Sequence, residues 1–185
     1  MPDYSNHPNA EHILRDGWRL FQQKGFLGVS IDDICLSCNI TKPTLYYYFK
    51  NKENLFIEIL LGKLEGFHVV IGQGGSLEER LVRISNVMLG SFEKDYSYLV
   101  RDLAHIKSVE GAARVRDAFS DEMVSPMVNL MQSAADRGEI RGDARFNAHL
   151  FMGIVESYIA RAEDYMLDND ALSQKIVDFF IKGAR

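Results

Sequence analysis

The stretch from Thr41 to Lys52 carries the densest set of groups able to do chemistry: Thr41, Lys42, Thr44, Tyr46, Tyr47, Tyr48, Lys50 and Lys52, with no acid among them. Ammonium, hydroxyl and phenol groups on one short helix suit nucleic acid. Lys42 and Thr44 can hydrogen-bond base edges, and Pro43 offers an apolar surface to a thymine methyl. Tyr46, Tyr47, Lys50 and Lys52 suit phosphate oxygens. Ser30 opens the preceding helix and would present free backbone N–H groups to a further phosphate. The same pattern also fits a half-buried core helix with three tyrosines, so pattern alone leaves both readings open.

A second chemical pair is Cys35 and Cys38. Their C-x-x-C spacing is that of dithiol redox centres and of half a zinc site. The pair falls inside a short helix, and the chain has no other cysteine. Its five histidines, at 7, 12, 68, 105 and 149, are scattered. Small buried hydrophobes are the preferred reading. The alternatives are a thiol-sensing regulator and, from another class, a thiol oxidoreductase. No Gly-rich phosphate loop, nucleophile elbow or HExxH motif is present. An enzyme is not expected, nor is a cofactor or a metal.

The elements that position these groups are helices. The spacing predicts a first helix over 9–24, with the stripe Ile13, Leu14, Gly17, Leu20 and Phe21, stopped by Gly25. Ser30 with Asp33 forms a capping box for a second, short helix ending near Cys38–Asn39. Asn tolerates the left-handed conformation of a tight turn. Thr41 caps a third helix over 42–49, with Pro43 in its first turn. Asn51 caps a fourth, over 52–71 and roughly 30 Å long. Two short helices joined by a tight turn and braced by a third describe a helix-turn-helix, with Ile34, Cys38, Ile40, Leu45 and Phe49 turned inward.

The run Gly72-Gln73-Gly74-Gly75-Ser76 is the clearest break in the chain, and Ser76 with Glu79 opens a helix to about Lys94. Further helices are predicted over 97–108, 111–136, 144–166 and 171–183, with Pro126 kinking or dividing the third-last. The fold class is therefore all-α, with about nine helices. The expected domains are a helix-turn-helix module over 1–52 and a larger helical domain over 53–185.

Composition agrees with a soluble globular chain: 46% hydrophobic and 25% charged residues in 185. No signal peptide and no membrane-spanning run is seen, so a cytoplasmic location without membrane partner is expected. The net charge of −5 counts against a nucleic-acid partner at first sight. It is unevenly spread, however. Residues 1–55 hold Arg15, Arg19, Lys24, Lys42, Lys50 and Lys52 against Asp3, Glu11, Asp16, Asp32, Asp33 and Glu53, so the whole deficit lies beyond them.

Residues 13–55 resemble the DNA-binding region of the TetR (tetracycline-repressor-like) family. The resemblance rests on Ile13-Leu14, Leu20-Phe21, Lys24-Gly25-Phe26, Ser30-Ile31-Asp32-Asp33-Ile34, and the run from Ile40 to Glu53. Pro43-Thr44-Leu45-Tyr46 followed by Lys50-Asn51-Lys52 is particularly close to the family's recognition helix and the start of its fourth helix. The resemblance implies DNA contacts at Ser30, Lys42, Pro43, Thr44, Tyr46, Tyr47, Tyr48 and Lys52. Asp16 and Gly17 stand where the family has small alanines, Asn39 where it has glycine, and Pro43 where glycine is commoner. An inward Asp16 would loosen the module.

Beyond residue 55 only the helical character and the ending Val177-Asp178-Phe179-Phe180-Ile181-Lys182-Gly183 are family-like. The last two predicted helices are apolar over more than the stripe a single core requires. The family implies that they pair with their copies in a homodimer, here through Phe151, Ile154, Val155, Ile159, Ile176, Phe179, Phe180 and Gly183. A two-fold dimer would set two recognition helices about 34 Å apart on a palindromic operator in double-stranded DNA. An unknown small-molecule effector is expected inside the larger domain, with Phe67, His68, Arg101, His105, Phe119, Met123, Met127 and Tyr158 as candidate lining residues. The implied function is a ligand-responsive transcriptional repressor. A regulator without an effector, and a structural dimer that has lost DNA binding, are the competing readings.

Overall fold

Ser30 starts the second helix in the way its spacing predicts. In the computed structural model, which describes residues 8–91, 102–159 and 168–184, the Ser30 hydroxyl accepts from the Asp33 N–H. The Asp33 carboxylate accepts from the Ser30 N–H at 2.8 Å in return. This capping box opens α2 (Ile31–Cys38), and Asn39 closes it with φ 52° and ψ 47°, the left-handed conformation. Thr41 caps α3 (Lys42–Phe49) by accepting from the Thr44 N–H, with Pro43 in the first turn. The Asn51 side chain accepts from the Asn54 N–H at 2.7 Å and opens α4 (Lys52–Gly72). Each such cap contributes about 1 kcal/mol.

Before them, α1 (Pro8–Gly28) is broken at Gly25, whose φ of 70° and ψ of 167° only glycine adopts readily. The remaining helices are α5 (Leu77–Gly90), α6 (Val109–Phe119), α7 (Ser125–Asp136), α8 (Ala144–Ile159) and α9 (Asn169–Ala184). Between α6 and α7 the chain makes a π turn over Ser120–Val124, in which the Ser125 N–H bonds to the Ser120 carbonyl. Pro126 follows in the first turn of α7, so the predicted interruption is a local widening of the helix. No strand occurs among the described residues. None of their helices is long and apolar enough to cross a membrane.

The chain forms two compact units. The first comprises the described residues of Met1–Lys63 and Ser97–Arg116. Phe21, Phe26 and Phe56 meet in its core, with ring centroids 5.0 to 5.9 Å apart. Gly17 lies against α4, where a Cβ would sit 3.1 Å from Ile59 Cδ1 and the isoleucine would have to give by a few tenths of an ångström. The unit extends past residue 52. Residues 53–63 pack on α1 through apolar contacts such as Phe56 on Phe21, and polar groups tie the described part of 97–116 to Phe26 and to α4. Asp102, buried, accepts from the Phe26 N–H at 2.6 Å. Glu53 accepts from the Ser108 N–H, and the buried Glu58 pairs with Arg114, both at 2.8 Å.

The second unit comprises the described residues of Leu64–Tyr96 and Asp117–Arg185. Its core is one apolar cluster to which α5, α7, α8 and α9 each contribute. Leu81, Met127, Phe151 and Val177 are fully enclosed in it, and Phe151 packs edge-on against Phe180 at 5.1 Å.

Candidate nucleic-acid interface

α3 has two faces of different chemistry. Leu45 and Phe49 are buried and hold the helix against its own unit. Thr41, Lys42, Pro43, Tyr46, Tyr47 and Lys50 are exposed, Tyr47 at 78%, while Thr44 and Tyr48 are half-buried. The Tyr47 and Tyr48 rings meet edge-on at 5.0 Å, which limits their rotation. The Thr44 hydroxyl lies 2.9 Å from that of Thr41, so the cap also orients a group on the exposed face. An outward helix face of this composition, with its buried face fixed, is what entry into a major groove requires.

The lysines differ in their freedom. Lys42 pairs with Asp32 at 2.8 Å, and that hydrogen bond and charge raise its ammonium above the ordinary range. The pair spans α2 and α3 and is exposed, so a phosphate can compete for the amine. Lys50 is exposed and closes α3 at a positive φ of 60° with ψ −41°. Lys52, read from sequence as a phosphate contact, is turned inward instead. Its Nζ donates to the Phe26 and Val29 carbonyls, each at 2.7 Å, and lies 4.3 Å from the Phe26 ring centre. Burial pulls its pKa down, with the Asp102 charge opposing. Lys52 thus pins the turn between α1 and α2. The signal for this role was three-dimensional, since the two carbonyls lie 26 and 23 residues away.

Ser30 is exposed and spends its groups on the capping box. The bonds from the Ser30 side chain and backbone, and then Lys24 at 3.0 Å, hold the Asp33 carboxyl well below the usual carboxylate range. A carboxyl held down in the fold stabilises it at pH values above its unfolded pKa, near 4, and that contribution fades as pH falls through the folded value. The melting temperature of the chain should therefore fall further between about pH 6 and about pH 3 than that of Asp33→Asn. Equal falls, followed by circular dichroism, would show that the capping carboxylate does not carry this linkage.

The two thiols are buried. Burial and then the Asp16 charge push Cys38 up to about 11, and burial raises Cys35. A thiol that reacts readily needs exposure and a lowered pKa, so this environment opposes dithiol redox chemistry. Asp16, whose inward placement would loosen the module, is half-buried but partnered, with His12 Nε2 at 3.1 Å and Arg15 Nε at 3.6 Å. Among the described residues one group of metal-ligating atoms converges, that of His12, Asp16 and Cys38.

The candidate effector residues scatter. Arg101 lies outside the described residues. His105 belongs to the first unit, stacked on Phe26 at 6.2 Å. His68 pairs on the surface with Glu122 at 2.9 Å. Phe67, Met123 and Met127 are packed in the core of the second unit, with Phe119 and Tyr158 partly buried against it. Two clefts of the second unit, of about 520 and 640 Å³, are lined instead by residues such as Ser76, Glu78, Arg83 and Arg141. None of the candidate residues lines either cleft. Core packing explains the apolar candidates without a ligand.

The candidate interface residues divide similarly. Phe151, Val155, Ile159, Ile176 and Phe180 are buried within the chain's own core, and Ile154 is half-buried. Phe179 is 75% exposed, and Gly183 is also exposed. The outward apolar face of α8 consists of Phe146, at 64%, and Leu150, followed by the exposed Gly153 one turn on. The excess apolar surface of α8 was visible in the sequence, but which part of it faced outward was not.

Comparison with known proteins agrees with this geometry. Residues 13–59 match the family model of bacterial regulatory proteins of the tetR family. The HTH-type transcriptional repressor NemR of Escherichia coli (strain K12) is 28% identical over 68 residues, 37% of this chain and 34% of that protein. The biofilm operon icaADBC HTH-type negative transcriptional regulator IcaR of Staphylococcus epidermidis is 41% identical over 46 residues, 25% of each chain. The sequence match thus spans about a third or less of these relatives. The solved structure of AibR, in complex with isovaleryl coenzyme A and operator DNA, shares the fold with a TM-score of 0.72 at 22% identity, covering 92% of this chain and 97% of that one.

Proposed function

We propose that the chain, whose residues 13–59 match the family model of bacterial regulatory proteins of the tetR family, is a transcriptional repressor acting on operator DNA as a homodimer. The observation that carries this reading is the exposed face of α3, with Lys42, Pro43, Thr44, Tyr46 and Tyr47 on a helix anchored by Leu45 and Phe49. Lys42 and Thr44 read base edges, while the tyrosines and Lys50 take phosphates. Selection of genomic fragments by the purified chain should enrich a palindrome, with affinity falling steeply as salt rises. Lys42→Ala should weaken binding about tenfold or more, the cost of one good base or phosphate contact. Absence of any enriched sequence would sink the proposal.

The homodimer reading is supported by the large apolar side chains Phe146 and Leu150 on α8 and Phe179 on α9, all exposed. Scattered single apolar residues need no partner, but large ones on the last two helices suit a self-complementary contact. Phe179→Glu should convert the dimer to monomer in sedimentation while leaving helix content intact. A variant that stays dimeric would place the interface elsewhere.

An effector belongs to the same proposal. It would release the repressor by binding one arrangement of the recognition helices better than the other, since equal affinity for both shifts nothing. AibR, with its coenzyme A ester, supports an effector of that general kind by fold alone. Equal effector affinity with and without operator would refute release by population shift.

A further inference from the structure

His12 and Asp16 lie one turn apart on α1, and Cys38 comes from the end of α2. One ligand atom from each, the imidazole nitrogen, a carboxylate oxygen and Sγ, lies within 4.8 Å of the other two. We propose that these three side chains form a binding site for a divalent metal of the zinc class, with the remaining coordination position taken by water.

The donor set fits that chemistry. One nitrogen, one oxygen and one sulfur suit a borderline-soft ion, whereas magnesium and calcium take oxygen alone. His12 Nε2 and Asp16 Oδ2 already converge at 3.1 Å, which leaves only modest side-chain rotation to admit an ion between them and the sulfur. Charge also fits. A neutral imidazole, a carboxylate and a thiolate balance a dication, so the loaded site would be neutral in a partly buried place. The imidazole is 42% exposed and the carboxylate 16%, so an ion can enter from the His12 side while Cys38 closes the floor.

Two cations stand near. Arg15 is 3.6 Å from the Asp16 carboxylate, and both Arg15 and Arg19 act on Cys38 by charge. They favour the thiolate and disfavour a bound cation. Arg15 is 76% exposed, so its effect on the ion is screened by solvent. Coordination by sulfur takes the thiolate form, so the Cys38 proton leaves to solvent as the ion binds. The partners of Cys38 are invisible in the linear sequence, because a ligand 22 residues upstream and another 26 upstream meet the sulfur only through the packing of α1 on α2. Cys35 has no part in the set. An ion here would join α1 to α2 and stiffen the helix-turn-helix from behind.

The test is titration of the full chain, freed of metal by chelation, with cobalt(II) as the spectroscopic stand-in for zinc. A thiolate-to-cobalt charge-transfer band with visible bands of four-coordinate intensity, bleached by added zinc, is expected. Cys38→Ser should lose the charge-transfer band, while Cys35→Ser keeps it. His12→Gln and Asp16→Asn should each weaken binding by about 100-fold or more, at or above the top of the range for losing an outer partner. Circular dichroism checks that each variant is folded, and the two polar variants test the site should Cys38→Ser fail that check. No charge-transfer band, or a band that survives in Cys38→Ser, would overturn the site. The readout does not involve DNA, so it stands or falls apart from the proposed repressor function.

Discussion

Phe49→Ala should abolish operator binding and destabilise the chain by about 3–5 kcal/mol, the usual cost of removing a buried phenyl ring. Phe49 ends α3 at 2% exposure, and with Leu45 it forms the whole buried face of that helix. An eight-residue helix has little stability of its own, so its order comes from this packing. Loss of the ring leaves a cavity and frees the helix to tilt, and the exposed groups lose their common orientation. Tyr47→Ala is the control. It removes an aromatic ring of similar size from a position 78% exposed, and it should leave stability within about 0.5 kcal/mol while weakening DNA binding. Chemical denaturation and fluorescence anisotropy would measure the two quantities. If Phe49→Ala unfolded no more easily than Tyr47→Ala, the description of α3 as a helix held by one face would be wrong.

Lys52→Met should behave as a folding mutation, not as the loss of a phosphate contact. Methionine keeps most of the stem but leaves the Phe26 and Val29 carbonyls without their donor. Both residues are buried, and each orphaned acceptor costs about 1–3 kcal/mol. The contact with the Phe26 ring adds a smaller loss. A destabilisation of about 2–6 kcal/mol is expected, read as a lower urea midpoint with unchanged slope. A phosphate-binding lysine would give the opposite pattern, with stability unchanged and the salt dependence of operator binding reduced by about one ion. The two outcomes do not overlap.

The contrast between Lys42 and Lys52 marks how far sequence carries. Both are lysines at the start of a helix in a basic stretch, and both fit a phosphate contact by type and spacing. One is on the exposed face beside Asp32 and the other under Phe26, because the break at Gly25 turns the chain so that two carbonyls point at α4. Spacing along one helix reports the face a residue shares with its neighbours. It does not report what a distant loop, 23 to 26 residues earlier, brings to that face.

What the sequence determined by itself was local. Ser30 with Asp33, Thr41 with Thr44, Asn39 in the left-handed turn and Asn51 before α4 are all set by groups close to each other along the chain. The helix-turn-helix was legible for that reason, and so were its buried positions Ile34, Leu45 and Phe49. What only tertiary structure decided involves partners distant along the chain. The attachment of Asp102 to Phe26 and of Glu53 to Ser108, the inward turn of Lys52, and the exposed half of the α8 and α9 stripes are of this kind. So is the meeting of Cys38 with His12 and Asp16. Capping and turn formation depend on short-range hydrogen bonds, which residue order fixes. Packing depends on which surfaces are left once the helices exist, and residue order fixes that only through the whole fold.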